Sequence, residues 1–321
     1  SPVWLSRVWT VARRHQVGVI VVRDLPMAPA ALLVGKALAI PVVLDMAECY
    51  PELVRVIWRY ESFKPANLLV RNPYLADFVE TAVLRSIDRV WVMVEESENR
   101  LLARGMVPGK VALVSNTPQP GRFRQARATF PGTLAAQRSK TVLLYVGFLT
   151  HSRGLASIIR ALPGLLAARD DLYLAIVGTG TAERALRALA AELGMARHVG
   201  FEGWVDNRLV PEYVASADIC LVPHHRCGHW NHTIPNKLFD YMAAGKPVLA
   251  SDARPMARIV KETGCGLVYM DGDQEHLALQ LRRLFDPELR RRLGAKGIAA
   301  VERQYNWQLD AGRMLASLEG L

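Results

Sequence analysis

A lysine, a carboxylate and a row of backbone amides at the start of one helix form a grip for a nucleotide. Residues 232–252 (HTIPNKLFDYMAAGKPVLASD) space those groups in that way. Pro235 suits the first turn of a helix, residues 236–244 follow a helical pattern, and Gly245 ends it before a strand over 247–250. Lys237 and the exposed amides around Asn236 and Leu238 could hold a pyrophosphate. Asp240, about one turn on, could accept hydrogen bonds from a ribose diol. A second group lies in residues 147–154 (GFLTHSRG), where a strand ends in Gly147 and a short loop brings Arg153 and Gly154 to a helix start. Glycine lets backbone approach a ligand closely, and an arginine there adds charge-assisted hydrogen bonds to a phosphate. Gly178-Thr-Gly180 invites a dinucleotide reading, but Glu183 replaces the third glycine and the motif sits mid-domain, so it reads as a tight turn. Residues 224–232 (HHRCGHWNH) hold four of the eight histidines. The spacing of Cys227, His229 and His232 matches no specific metal motif, so no metal is expected. These histidines and Trp230 read instead as a cleft loop touching a ligand or its phosphates.

The elements that must position these residues are strands and helices in alternation. Strands are expected at 19–22, 41–44, 90–94 and 111–114, with helices at 4–15, 29–38, 77–87 and 95–104. Residues 117–140, rich in Pro, Gly, Arg and Gln, lack periodicity and read as a linker. The alternation resumes with strands at 141–146, 172–177, 199–201, 219–222, 247–250 and 266–269. Runs apolar throughout, rather than alternating, suit parallel strands covered on both faces. The expected fold is α/β, with two doubly wound Rossmann-like domains facing a cleft. Residues 1–125 form the first domain, 126–140 the linker, 141–300 the second domain, and 301–321 a helix crossing back to the first. The first domain is expected to lack its opening β-α unit, as in a fragment.

The net charge of +10 is uneven. Residues 1–140 hold 19 Lys and Arg against 11 Asp and Glu. An electropositive first half suits a phosphate-bearing partner such as an anionic membrane or a lipid-phosphate acceptor. Residues 53–70, mixing Ile57, Trp58, Tyr60, Phe63, Leu68 and Leu69 with Arg55, Arg59 and Lys64, could lie at a membrane interface. No nucleic-acid-reading motif accompanies the charge, so no nucleic-acid partner is expected. The apolar stretch 26–44 is broken by Lys36 and Pro41, which argues against a span. Four scattered cysteines suit a reducing compartment. The protein is therefore expected in the cytoplasm, or peripheral on the inner face of the plasma membrane.

Residues 235–248 (PNKLFDYMAAGKPV) resemble the donor-binding signature of glycosyltransferase family 4, the group 1 glycosyltransferases of GT-B fold. Asp240 matches the second of that family's paired glutamates, which binds the ribose, and His232 falls at the first, which contacts the donor sugar. Many members in bacterial surface-polysaccharide assembly carry this Pro-x-Lys-Leu-Phe version. Gly147 and Arg153-Gly154 match the family's phosphate loop, with Phe148 in place of its arginine. Residues 200–205 (GFEGWV), ending in Val205, are similar to the segment contacting the nucleobase. Asp45 and Glu48, in DMAECYPE (45–52), resemble the acidic loop that faces the acceptor. Residues 94–97 and 115–118 match later first-domain landmarks, and residues 305–307 match the Tyr-x-Trp before the crossing helix.

The resemblance implies a retaining, metal-independent transfer from a UDP- or GDP-linked sugar to a glycan or lipid-linked acceptor, in polysaccharide biosynthesis and without a cofactor. Arg153, Lys237 and the amides near Asn236 would stabilise the departing diphosphate. Asp45 and Glu48 would position the acceptor or assist its deprotonation. Two further readings are a non-catalytic sugar-nucleotide-binding subunit and a GT-B-type sugar-nucleotide epimerase.

Overall fold

A computed structural model of the chain describes residues 2–60, 67, 71–167 and 169–321. It forms two compact units. The first comprises Ser1–Asn116, Cys227–Ile234 and Leu309–Leu321, and the second comprises Thr117–Arg226 and Pro235–Gln308.

The first unit is built on four parallel strands, β1 (Ile20–Arg23), β2 (Val42–Met46), β3 (Arg89–Val92) and β4 (Val111–Leu113), in the order β1-β2-β3-β4. The register pairs Val22 with Leu44 and Leu44 with Val90. Leu44, Val90 and Val92 pack with Val83, Leu84 and Leu101 from the helices Pro73–Ser86 and Glu95–Ala103. Asn72 starts the former helix by accepting hydrogen bonds from the Tyr74 and Leu75 amides, which otherwise lack helical partners. On the opposite face of the sheet, Val43, Trp91 and Val114 are covered by Met314 and Leu318 near the chain end. The Trp91 indole donates to Ser317 Oγ at 2.7 Å, and Arg89 Nε donates to Ser317 O at 3.0 Å.

The first-unit segment 53–70 is described only in part. Tyr50–Tyr60 is a helix, whereas Phe63, Lys64, Leu68 and Leu69 lie outside the described residues, so the interface reading is carried by Ile57, Trp58 and Tyr60 alone. Among the described residues, no helix is long and apolar enough to cross a membrane.

The second unit has six parallel strands: β5 (Thr141–Val146), β6 (Leu172–Val177), β7 (Val199–Gly203), β8 (Ile219–Val222), β9 (Val248–Ser251) and β10 (Gly266–Tyr269). Their order is β10-β9-β8-β5-β6-β7. All six residues of β6 are buried, as expected of a strand covered on both faces. Residues 117–140 are not a bare linker. They carry a short helix, Pro120–Arg124, and a 3-10 turn, Gly132–Ala136, and they belong to this unit. The boundary expected after residue 125 falls instead after Asn116, because the Pro120–Arg124 helix packs on the helices Lys237–Ala243 and Val210–Ala215.

Candidate functional site

In the second unit, chain connections run outward from β5 through β6 to β7, and from β8 through β9 to β10. The strand order therefore reverses between β5 and β8, and open α/β sheets bind ligands outside the carboxyl ends of the strands at such a point. Gly147 follows β5 and Pro223 follows β8. Gly147 has φ of 138°, and a Cβ there would lie 2.7 Å from Lys237 Nζ. Gly154 has φ of 70°, and its Cβ would fall 1.8 Å from Pro223 O. Only glycine lets these backbones approach the side chain and carbonyl beside them. The Gly178-Thr-Gly180 turn is laced to the same loop: Leu149 N donates to Thr179 O, and Ala182 N donates to Leu149 O, both at 2.9 Å. This backbone-to-backbone lacing is the tight turn expected.

Lys237 opens the helix Lys237–Ala243, and its Nζ is enclosed, with no hydrogen-bond partner among the described residues. The Nζ sits 3.7 Å from the centroid of the Tyr145 ring, over its electron-rich face. Burial, and secondarily the charge of Arg153, push the lysine pKa well below its ordinary value, with Asp240 opposing. Arg153 Nη1 lies 2.7 Å from Nε2 of the fully buried His224. A guanidinium only donates, so Nε2 must accept, and His224 is the neutral tautomer carrying its proton on Nδ1. Burial raises Asp240 to about 7, against the lowering influence of Arg122 and then Lys237. Its carboxyl makes no hydrogen bond to another described residue. Two buried or half-buried groups are thus held away from their charged forms within one helix.

A pocket of about 240 Å³ lies at the ends of β5, β6 and β7, lined by Gly147, Phe148, Thr179, Trp204, Val205 and Asn207 among others. That volume is below the roughly 300–1,000 Å³ of a whole small-molecule site, so it suits one end of a longer ligand. Gly147, Arg153, Gly154, Lys237, Asp240 and Val205 therefore gather in the second unit. Two expected contacts at the helix start change. The Leu238 amide donates to Pro235 O at 3.1 Å and its side chain is fully buried, so it has no part exposed to a ligand. Asn236 is exposed, and its carbonyl accepts from the Phe239 and Asp240 amides, so those two amides are taken up within the helix.

The remaining expected residues lie in the first unit. Asp45, on β2, pairs with Arg23 at 2.5 Å. Glu48 lies 3.1 Å from His229 Nε2, and its amide donates to Asp24 Oδ1 at 3.1 Å. His232 Nδ1 lies 2.8 Å from Gly228 O, and Ser97 Oγ donates to the His232 carbonyl. Thr233 Oγ1 donates to Ala47 O at 2.7 Å, fixing the segment against the acidic loop. His229 and Trp230 are buried, edge to face at 4.5 Å. They fill space inside the first unit instead of lining an open sugar site, because their rings pack on each other and beside Glu48. Residues 224–232 are thus not one ligand-facing loop: His224 meets Arg153, and His225 Nδ1 meets Asp271 at 2.8 Å.

The geometry agrees with what known proteins share with this chain. The family model "Glycosyl transferases group 1" matches residues 127–299, and "Glycosyl transferase 4-like domain" matches residues 1–117. A phosphatidyl-myo-inositol mannosyltransferase of Mycobacterium leprae is 34% identical over 181 residues, 56% of this chain and 46% of that protein. The lipopolysaccharide core biosynthesis glycosyltransferase LpsD of Rhizobium meliloti is 29% identical over 186 residues, 58% of this chain and 51% of that protein. The chain spans about half the length of such curated relatives. Among solved structures, Anabaena HepE in complex with UDP and glucose superposes with a TM-score of 0.81 at 15% identity, covering 99% of this chain and 81% of that one. Sucrose-phosphate synthase from Thermosynechococcus elongatus gives 0.79 at 21% identity, covering 98% and 76%. At these identities the likeness shows the fold, which is GT-B.

Proposed function

Since the chain belongs to the group 1 glycosyl transferases, we propose that it moves a sugar from a nucleoside-diphosphate sugar to a glycan or lipid-linked acceptor in cell-envelope glycan or glycolipid synthesis. The observation that carries this reading is the enclosed, unpartnered Nζ of Lys237 beside Arg153 at the strand-order reversal. An amine kept from water and from any hydrogen bond is driven toward its neutral form, and a diphosphate supplies the anion that restores its charge. In this reading Lys237 and Arg153 neutralise the charge that builds on the diphosphate as the glycosidic bond breaks. Asp240 accepts the ribose hydroxyls, and the pocket at Trp204 and Val205 takes the base.

Configuration is retained in this scheme, with the acceptor hydroxyl giving its proton to an oxygen of the departing phosphate, so no enzymic nucleophile is called for. Asp45 and Glu48 serve the acceptor side. Positive charge comes from the protein's own side chains, so transfer is expected to survive chelation by EDTA. A Corynebacterium glutamicum relative named as a GDP-mannose-dependent mannosyltransferase, and the neighbour bound to UDP and glucose, support UDP- or GDP-linked donors. The test is a melting-temperature screen with UDP, GDP, UDP-glucose and GDP-mannose, followed by a radiolabelled transfer assay with the donor that binds. A ligand of the native state raises the melting temperature. Absence of a shift with every nucleotide would sink the reading, and a shift without transfer to any acceptor would reduce it to a binding subunit.

A further inference from the structure

The geometry points to Arg122 as a positioning residue for the nucleoside end of the donor, holding the loop that lines the base pocket from a helix packed on the one that carries Asp240. This rests on the reading given above. Arg122 lies in the helix Pro120–Arg124, which buries Phe123 and packs on the helix Lys237–Ala243 that carries Asp240. Its Nη2 donates to Asn207 O at 2.5 Å. Asn207 lines the 240 Å³ pocket together with Trp204 and Val205. Arg122 itself lines a second, larger hollow of about 960 Å³, with Gln119, Arg127 and Arg208 on its walls. One guanidinium therefore touches the backbone of the base-pocket loop and also lines the larger hollow.

Electrostatics agree with the placement. The charges bearing on Asp240 are Arg122, from the neighbouring helix, and Lys237, on its own helix, and Arg122 has the greater lowering influence. Lys237 is itself pushed toward its neutral form. Arg122 lies exposed on the surface. Its charge opposes the rise that burial imposes on Asp240 and so favours the ionised form that accepts ribose hydroxyls. A guanidinium fixed at one fork tine by Asn207 O has further N–H groups to offer.

The experiment measures binding of UDP, GDP and inorganic pyrophosphate by calorimetry from pH 6 to 9, for the wild type, Arg122→Ala and Arg122→Lys. For Arg122→Ala, UDP and GDP should bind several-fold more weakly at pH 7, because losing a lowering charge raises the Asp240 pKa further and leaves less ionised carboxylate. The affinity midpoint should move to higher pH, while pyrophosphate binding stays unchanged. Arg122→Lys should restore the midpoint through its charge, yet narrow the difference between UDP and GDP, because an ammonium lacks the planar fork. Wild-type binding with an unaltered Arg122→Ala profile would overturn the assignment of Arg122 and leave the glycosyltransferase reading standing. Equal weakening of pyrophosphate would also overturn it, as a general charge effect. A wild type that binds none of the three nucleotides or anions would instead overturn the reading beneath it.

Discussion

Replacing Lys237 by methionine should make the empty protein more stable and its nucleotide binding worse. Lys237 Nζ is enclosed with no hydrogen-bond partner among the described residues. A buried polar group in that state costs about 1–3 kcal/mol. The Tyr145 ring returns part of this, but a cation–π contact requires charge, and burial drives this amine toward its neutral form, so the return is less than about 1 kcal/mol. Methionine keeps the length of the stem and removes the polar head. The net gain is about 1–2 kcal/mol, and each kcal/mol is worth roughly 2–4 °C in melting temperature for a domain of this size. The sign with pH follows from the lowered pKa. Below the ordinary lysine value of 10.5, the unfolded chain binds a proton that the native site refuses, so wild-type stability rises with pH toward that value. The advantage of Lys237→Met should therefore be largest near neutrality and shrink as pH approaches 10. Binding moves the other way, since losing a charge-assisted hydrogen bond to phosphate, about 1.5–3 kcal/mol, weakens UDP or GDP by roughly 10- to 150-fold. Melting curves from pH 6 to 10, with and without nucleotide, read both effects. A less stable variant with unchanged nucleotide affinity would refute the argument.

The neighbouring groups give further expectations. For Asp240→Asn, the raised carboxyl pKa means that the native state holds a proton the unfolded state has shed between 3.8 and about 7, so wild-type stability declines as pH rises through 7. The asparagine variant should show a flatter pH–stability curve and bind nucleosides more weakly by about tenfold or more. For Gly154→Ala, a Cβ placed 1.8 Å from Pro223 O at φ of 70° should destabilise the second unit by more than about 1 kcal/mol, seen in urea melts, and weaken donor binding with it. Calorimetry in buffers of differing ionisation enthalpy should show proton uptake when UDP or GDP binds above neutral pH, as the bound diphosphate restores the charge of Lys237.

Where burial is continuous, the sequence already spells the element. The mostly apolar runs at β5, β6 and β8 fall on the strands expected of them. The donor helix is visible too, since Pro235 and Gly245 bracket it, although its ordered span is Lys237–Ala243. Residues 117–140 hide their structure because a five-residue helix such as Pro120–Arg124 is too short to show a period, and its burial rests on Phe123 alone. Arg122 passed unnoticed for that reason. The histidine-rich loop misleads for the opposite reason, as its residues are neighbours in sequence only. His224 reaches Arg153, 71 positions away, whereas His229 lies against Glu48 in the other unit. Nor does any local pattern announce that Lys237 is enclosed beside Tyr145, since that pairing depends on strand order.

The composition of the first unit carries a consequence for how this protein is made. Its sheet is encoded by residue 113, yet Cys227–Ile234 and Leu309–Leu321 are also part of that unit. Until those residues leave the ribosome, Trp91 and Val43 wait without Met314 and Leu318 to cover them. The second unit, with its last strand finished at Tyr269 and its residues ending at Gln308, has every piece in hand earlier. During vectorial synthesis the earlier half should therefore keep its tryptophan face uncovered until residues from the far end of the second unit onward have been made, a long exposure of apolar surface that favours sticking elsewhere.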